Sequence, residues 1–502
     1  SADYQLTDKD LFSLGFFAGK RTKDRTADIL YYANYAIVSD IEYEFQYYNE
    51  NLRIRKSDFI LGSLDYDHEF SSGAEFNSSI LYEYTLLGGP TTNRNLGHPD
   101  NSIVYQDEYN TNDNPLYGLR INLDYQFKPL TIGTLEMGYQ YRNLDHTGDF
   151  VYERKNNTTQ IFELVPEFSS EVNLKRSIHA GYLQYNGSFK KWSLAAGLRL
   201  ENMQRNLSLK DKSGTVNEDY SLNFTKLFPS LSVNYKLNDQ TNLKVAYSKR
   251  IERTTTFKMN PFPEREHSET LEQGDPNLHP ELIDQVELGV NYKNNLGNSL
   301  FSTIYYRNVD HLINRVNTVY NDTILNRIYS NVGNAKTFGG ELGAEFSLGE
   351  KLKTLASANV YNYKIDGEFD NRPVTSEGII YSFNVNSTYR FSETTTAQFT
   401  FNYLSDRVTA QGEDSKFYSP NLTLTKRFWN NQLTASLQWK NIDMGMMNTN
   451  EQRITTQRPD EFYTTTNYVY EVDMVLLSLT YNLNNRKNNA KFIESEFGKR
   501  EF

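Results

Sequence analysis

The sequence predicts an all-β protein, a transmembrane antiparallel β-barrel of about 22 strands. Three observations carry that prediction. From Leu227 to the C-terminus, segments of alternating apolar and polar residues are joined in turn by a tight polar turn and a long polar loop. That rhythm belongs to barrels that cross a bacterial outer membrane. Only 38% of the 502 residues are hydrophobic and the mean hydropathy is −0.67, yet the chain holds 37 Tyr and 30 Phe. A barrel needs apolar side chains only at alternate positions, and it gathers aromatics at both membrane interfaces. Finally, no apolar run of about 18 residues offers a transmembrane helix, whereas a closed barrel satisfies its backbone polar groups inside lipid by pairing strands.

The alternation is sharpest in two segments. In 432–440, Leu433, Ala435, Leu437 and Trp439 alternate with Thr434, Ser436, Gln438 and Lys440. In 192–201, Trp192, Leu194, Ala196, Leu198 and Leu200 alternate with Ser193, Ala195, Gly197, Arg199 and Glu201. A two-residue period gives each set its own face of the sheet. One face suits hydrocarbon, and the other suits a wet or protein-filled lumen. A soluble sandwich would turn the apolar face inward; the number and length of the segments argue against it.

Taken in order, the candidate strands are 1–6, 10–20, 26–36, 41–49, 54–70, 75–87, 114–128, 133–146, 175–190, 191–205, 223–237, 241–252, 282–293, 298–308, 330–348, 352–365, 377–391, 395–405, 414–428, 432–442 and 467–483. Short turns fall near Thr7, Ser71, Lys190, Asn238, Asn294, Gly349, Ser392 and Asn430, all rich in Asn, Asp, Gly, Ser and Lys, the residues of tight hairpins. Long loops occupy roughly 88–113, 147–174, 206–222, 253–281, 309–329, 366–376, 406–413 and 443–466. Short turns face the periplasm and long loops the outside. Tyr125, Tyr235, Tyr292, Tyr389 and Tyr481 lie just before short turns or at the end of the last strand, where a periplasmic aromatic girdle belongs. The barrel is expected over 1–483, with 484–502 as a polar periplasmic tail.

Parity adds a further expectation. The stub Tyr4–Leu6 runs down into the turn at Thr7–Asp10, and the last strand also runs toward the periplasm. The count of about 21 is odd, while single-chain bacterial barrels have even counts. One upward strand is therefore expected before Ser1, making 22, the size class of plugged transporters. The opening SADYQL has no basic stretch followed by an apolar core, so a signal peptide is expected to lie outside this chain.

Several stretches resemble TonB-dependent outer-membrane receptors: LFPSLSVNYKL at 227–237, GDPNLHPEL at 274–282 and NVGNAKTFGGELGAEF at 331–346. The tail ending in Phe502 is similar to those of outer-membrane β-barrel proteins of the Bacteroidota. The resemblance covers the whole chain, as barrel only. It implies a plug domain, the chain's own or a separate one, inside the barrel, and with a plug a TonB-type energy-transducing complex as partner. It also implies outer-membrane lipid around the wall, and a surface lipoprotein or other envelope proteins as further partners. No plug-like segment precedes the first hairpin here. Within the most specific motif, Pro276 and Pro280 stiffen the loop, Gly274 tolerates positive φ, Asn277 suits an Asx turn, and Glu281 is placed to pair with a neighbouring Arg. The motif reads mainly as an anchor for a loop re-entering the barrel.

Chemistry beyond binding is not indicated. There is no nucleophile elbow, phosphate loop or zinc-protease motif, and the seven His residues show no metal-ligand spacing. The chain is read as no enzyme, without cofactor or metal. It contains no Cys, so disulfides, zinc–thiolate sites and thiol nucleophiles are excluded. A net charge of −11 without a basic–aromatic cluster argues against nucleic acid.

Candidate ligand contacts are the loop aromatics Tyr105, Tyr109 and Phe262 and the acidic group Glu264, Glu266, His267 and Glu269. The acidic group reads first as a solvated loop, with cation capture as the alternative. The run Asp107, Glu108, Asn110, Asn112 and Asp113 reads as a polar loop before it reads as a calcium site. Arg199, Glu201, Lys244, Arg250, Glu287 and Lys293 are expected to face the lumen, against a plug or against water.

Two functions fit. One is the barrel of a TonB-dependent receptor that imports a nutrient through a plugged pore. The other is a receptor-like barrel serving as a scaffold in an outer-membrane assembly.

Overall fold

Sequence neighbours pair with sequence neighbours along almost the whole chain, as hairpin-linked strands with tight turns must. The computed structural model describes residues 2–31, 35–36, 46–267, 270–321, 324–445 and 451–482. These form one antiparallel sheet of 21 strands and two smaller sheets. Nineteen strands make the wall: β1 Ala2–Thr7, β2 Asp10–Tyr31, β3 Tyr47–Glu69, β4 Glu75–Gly88, β5 Val104–Gln126, β6 Gly133–Lys155, β7 Ser170–Phe189, β8 Trp192–Asp211, β9 Asn217–Lys236, β10 Thr241–Glu252, β11 Glu281–Lys293, β12 Ser299–Asp310, β13 Asn334–Leu348, β14 Leu352–Phe369, β15 Arg372–Ser392, β16 Thr395–Leu404, β17 Phe417–Phe428, β18 Leu433–Lys440 and β19 Met474–Tyr481. The short strands Thr91–Gly97 and Phe162–Leu164 extend the sheet on the long-loop side.

The strand count differs from the expected one at two places. Segment 10–20 and residues 26–31 of the next are one strand, β2, and residues 47–49 and segment 54–70 share one strand, β3. The polar run Arg21–Asp28 does not break β2, because every residue keeps its ladder partner on β3. The two mergers leave the count odd, and β1 and β19 both run toward the short-turn end. The strand expected before Ser1 and the tail 484–502 lie outside the described residues.

The hairpins also rise higher than the alternation suggests. Expected loops at 88–113, 147–174 and 206–222 are largely strand: β5 begins at Val104, β6 continues to Lys155 and β8 to Asp211. Asp107–Asp113 is therefore paired strand. Instead of a loop over 366–376, β14 and β15 meet in a two-residue turn whose residues Asp370 and Asn371 have φ of 53° and 58°, the type I′ geometry that follows strand twist. These extensions stand clear of lipid, so no apolar stripe marks them.

Side-chain faces follow the predicted alternation. Leu198 and Leu200 are 47% and 53% exposed, while the next residue, Glu201, is 1% exposed. Phe16, Ile60, Val245, Leu288, Phe338 and Leu437 continue the outward apolar band. At the short-turn end, Tyr235 packs on Trp192 (ring centroids 4.5 Å apart), Tyr125 on Phe127 (5.0 Å), Tyr389 on Phe391 (4.9 Å) and Tyr481 on Trp429 (6.4 Å). That is an interfacial girdle.

The wall curls. Tyr35–Ala36, in the connection after β2, pairs with Phe462–Tyr463, in the connection before β19. Two dry cores then form on the long-loop side. One joins wall residues to Met259, Phe262 and Leu278. The other joins Ile283, Val309, Val332, Ala335, Ile365 and Val374 to Leu312 and Val316 at the start of the hairpin Ile313–Asn321/Ile324–Asn331.

Candidate functional site

The connection between β10 and β11, residues 253–280, turns into the barrel. Pro261, Pro263, Pro276 and Pro280 deny it a continuous helix or ladder, so short contacts hold it. Phe257–Met259 makes one 3₁₀ turn. The Asp275 N–H donates to the Lys258 carbonyl at 2.9 Å, and the Gly274 N–H to the Asn260 carbonyl at 2.5 Å. Met259, Phe262 and Leu278 sit among Leu116, Leu144, Val172, Leu174, Leu207 and Leu209 of the lumen wall. Burying each such side chain contributes about 1.5–3 kcal/mol.

Polar clasps fix the rest. The buried Arg205 on β8 donates from one Nη to the Leu278 carbonyl at 2.9 Å and from the other to the Pro276 carbonyl at 3.1 Å. Asn331, which opens the third resemblance motif, grips His279 of the second. Its Oδ1 accepts from the His279 N–H at 2.8 Å, and its Nδ2 donates to the carbonyls of His279 at 3.1 Å and His311 at 2.7 Å.

The structure revises three roles within GDPNLHPEL. Gly274 is absent from the positive-φ residues; a Cβ there would lie 2.4 Å from the Lys258 carbonyl oxygen, so close approach requires the glycine. The Asx turn is made by Asp275, whose Oδ1 accepts from the Asn277 N–H at 2.8 Å. Glu281 accepts from the Ile313 N–H at 2.7 Å and makes no ion pair with an Arg among the described residues.

Between this loop and the wall lies a cavity of about 950 Å³. Among the described residues its lining holds seven inward cationic side chains, Arg21, Lys23, Arg25, Arg53, Arg55, Lys258 and Arg307, against two carboxylates, Glu252 and Glu281; Lys56 also borders it but stands opposite Thr22, on the outer face of the ladder. In the ladder Lys23 stands directly opposite Arg55, and Arg25 opposite Arg53. Like charges so placed destabilise a sheet. Arg25, Arg53 and Arg55 also engage other groups of the chain. Four buried polar atoms line the same cavity without a hydrogen-bond partner among the described residues: Ser57 Oγ, Asn114 Oδ1, His146 Nδ1 and Thr256 Oγ1. One rung from Arg21, on the outer face, Lys20 pairs with Asp58 at 2.8 Å, while Phe16 and Ile60 lie exposed toward the short-turn end. The chamber is thus level with the outer edge of the apolar band.

The expected contacts fall elsewhere. Phe262 is 5% exposed within the dry core, so it anchors the loop and is closed to a ligand. Tyr105 is exposed on the long-loop end of β5, and Tyr109 packs edge-on to Phe162 with centroids 6.3 Å apart. The backbone of Glu264, Arg265 and His267 pairs with Thr270–Glu272. The side chains of Glu264, Glu266 and His267, and all of Glu269, lie outside the described residues.

Of the expected lumen residues, Glu201 accepts from Arg199 at 3.2 Å and from Arg253. Lys244 pairs with Glu287 at 3.2 Å, and Arg250 donates to Gln285 at 3.2 Å. Lys293 is exposed at the short-turn mouth. The chamber cations escaped the sequence reading. Their signal is Arg21, Lys23 and Arg25 at period two, facing Arg53 and Arg55 at the same period.

Comparison with known proteins agrees with this architecture. A family model described as the outer membrane protein beta-barrel family matches residues 68–481. No curated protein matches the chain in sequence. Among solved structures, the siderophore receptor PiuA from Acinetobacter baumannii superposes with a TM-score of 0.57 at 10% identity, covering 95% of this chain and 75% of that one. The ferric citrate transporter FecA in its unliganded form gives 0.55 at 15% identity, covering 95% and 73%. A chain of the FpvAI–pyocin S2 complex gives 0.57 at 11% identity. This chain spans 64% of that last one's length. At such identities the likeness is one of fold.

Proposed function

Because the chain belongs to the outer membrane protein beta-barrel family, we propose that it is the barrel of an outer-membrane receptor of the TonB-dependent type, which binds a solute on its outer side and imports it. The observation that supports this reading is the inward-folded loop 253–280, which turns the long-loop end of the lumen into a walled chamber. A scaffold has no use for such a chamber, whereas a receptor does. The chemistry is binding, not bond-making. Energy comes from an inner-membrane complex acting on a plug, and the lumen-facing pairs Arg199–Glu201 and Lys244–Glu287 are the polar surface against which a plug shifts.

Two deletions test the reading. Removing this protein and removing the TonB complex, singly and together, should produce one nutrient-limited growth defect that is not additive. Stable co-purification with other envelope proteins, a defect unaffected by TonB and an altered envelope would instead make the chain a scaffold subunit.

A further inference from the structure

Resting on the receptor reading, we propose that the chamber between β2, β3 and residues 255–260 binds a small solute carrying several carboxylate or phosphate groups. The chain as a whole is acidic, at −11, yet among the described lining residues of this one cavity seven inward cations face two carboxylates, a surplus of five, with Arg25, Arg53 and Arg55 already engaging other groups of the chain. Composition does not produce that surplus; placement does. Arg21, Lys23 and Arg25 follow one another on the lumen face of β2, and β3 answers with Arg53 and Arg55 across the ladder. Of the opposed residues, Lys23 makes no ion pair among the described residues and faces Arg55 across the ladder, a placement that costs a sheet stability and that a bound polyanion offsets. Arg21, Lys23 and Arg307 make no ion pair with any described residue. Arg307 approaches from β12 on the opposite side, so the charges surround the space.

Guanidinium forks match planar carboxylates and phosphates two bonds at a time. The four unpartnered polar atoms belong to side chains of the kind that meet a solute's hydroxyl groups. Buried and unsatisfied, each is costly to the fold, and a bound solute relieves that cost. The volume suits a small molecule and is too small for a protein segment with its own fold.

The test uses the whole protein in detergent, titrated calorimetrically with tricarballylate, with inorganic pyrophosphate, and with trehalose as an uncharged probe. At least one anion should bind and trehalose should not. Affinity should fall steeply with added salt, because the attraction is screened. Which anion binds tells carboxylate from phosphate. Combining Arg21→Gln with Lys23→Gln should weaken binding roughly 10- to 100-fold, and Lys23→Arg should keep it. Arg307→Gln on the other wall gives the same result independently if the double variant fails to fold. Absence of anion binding, or binding that the variants leave unchanged, overturns the assignment. Anion binding with TonB-independent uptake would sink the receptor reading alone. TonB-dependent uptake of an uncharged nutrient, without anion binding, would sink the polyanion assignment alone.

Discussion

Lys23 on β2 stands directly opposite Arg55 on β3, both turned toward the lumen. The next rung of that face repeats the arrangement with Arg25 and Arg53. Repulsion between opposed like charges costs a sheet about 0.2–1 kcal/mol per pair. Lys23→Gln is therefore expected to leave the barrel as stable as before or slightly more so, while anion binding falls. Heat-induced unfolding, followed by gel mobility of the detergent-extracted protein, checks this. A large drop in the unfolding temperature would mean that the cations serve the fold.

Asn331 ties two distant segments with three hydrogen bonds, to His279 and His311. Asn331→Ala should loosen loop 253–280 by about 1–3 kcal/mol without unfolding the wall. Hydrogen exchange should quicken at the backbone around His279 and stay unchanged in β13 and β14. Asn331→Asp keeps the acceptor and loses the two donated bonds, so it should fall between.

Arg205 is buried against the loop it holds, its fork on the carbonyls of Pro276 and Leu278. Arg205→Ala leaves two carbonyls without these donors, costing about 2–4 kcal/mol locally. Arg205→Lys should recover little, because an ammonium lacks the planar fork. Proteolytic nicking after Lys258 reads the effect. Resistance in both variants equal to that of the unsubstituted protein would show that the dry core alone holds the loop.

His279 supplies a pH dependence. Partial burial, then the neighbouring His311 ring 5.5 Å away and the Arg205 guanidinium, hold its pKa below the ordinary imidazole value; Asp275 opposes the shift. A lowered pKa means that the folded loop prefers the neutral ring. Its contribution is thus complete above the ordinary value and is lost as pH falls below it. Exchange in loop 253–280, corrected for intrinsic rates, should rise between pH of about 7 and about 5. His279→Gln should flatten that rise.

The wall was legible where lipid dictates the pattern. Segments 192–201 and 432–440 alternate as read, and the turn-end tyrosines form the girdle. Legibility failed above the membrane. Both faces of β5 around Asp107–Asp113 are polar, so a paired strand has the composition of a loop. In sequence Phe262 reads as a ligand contact, because an aromatic in a polar loop gives no sign of which way it turns; the inward fold of its loop shows it as an anchor. The chamber was hidden for a related reason. Arg21, Lys23 and Arg25 alternate within a polar run that carries no apolar stripe, so nothing in the sequence marks β2 as continuing through them. The opposition of Lys23 to Arg55 is a matter of register, which one strand read alone does not contain.

A thiol-free chain makes the decisive measurement clean. Lys23→Cys and Ile60→Cys, introduced singly, place one thiol in the chamber and one on the lipid face. Intact cells are then treated with a membrane-impermeant maleimide, with and without tricarballylate or pyrophosphate. The account predicts labelling of Lys23→Cys from outside, slowed by the anion that binds, and little labelling of Ile60→Cys. Labelling of Lys23→Cys only after the cells are opened, or at a rate no anion changes, would contradict it.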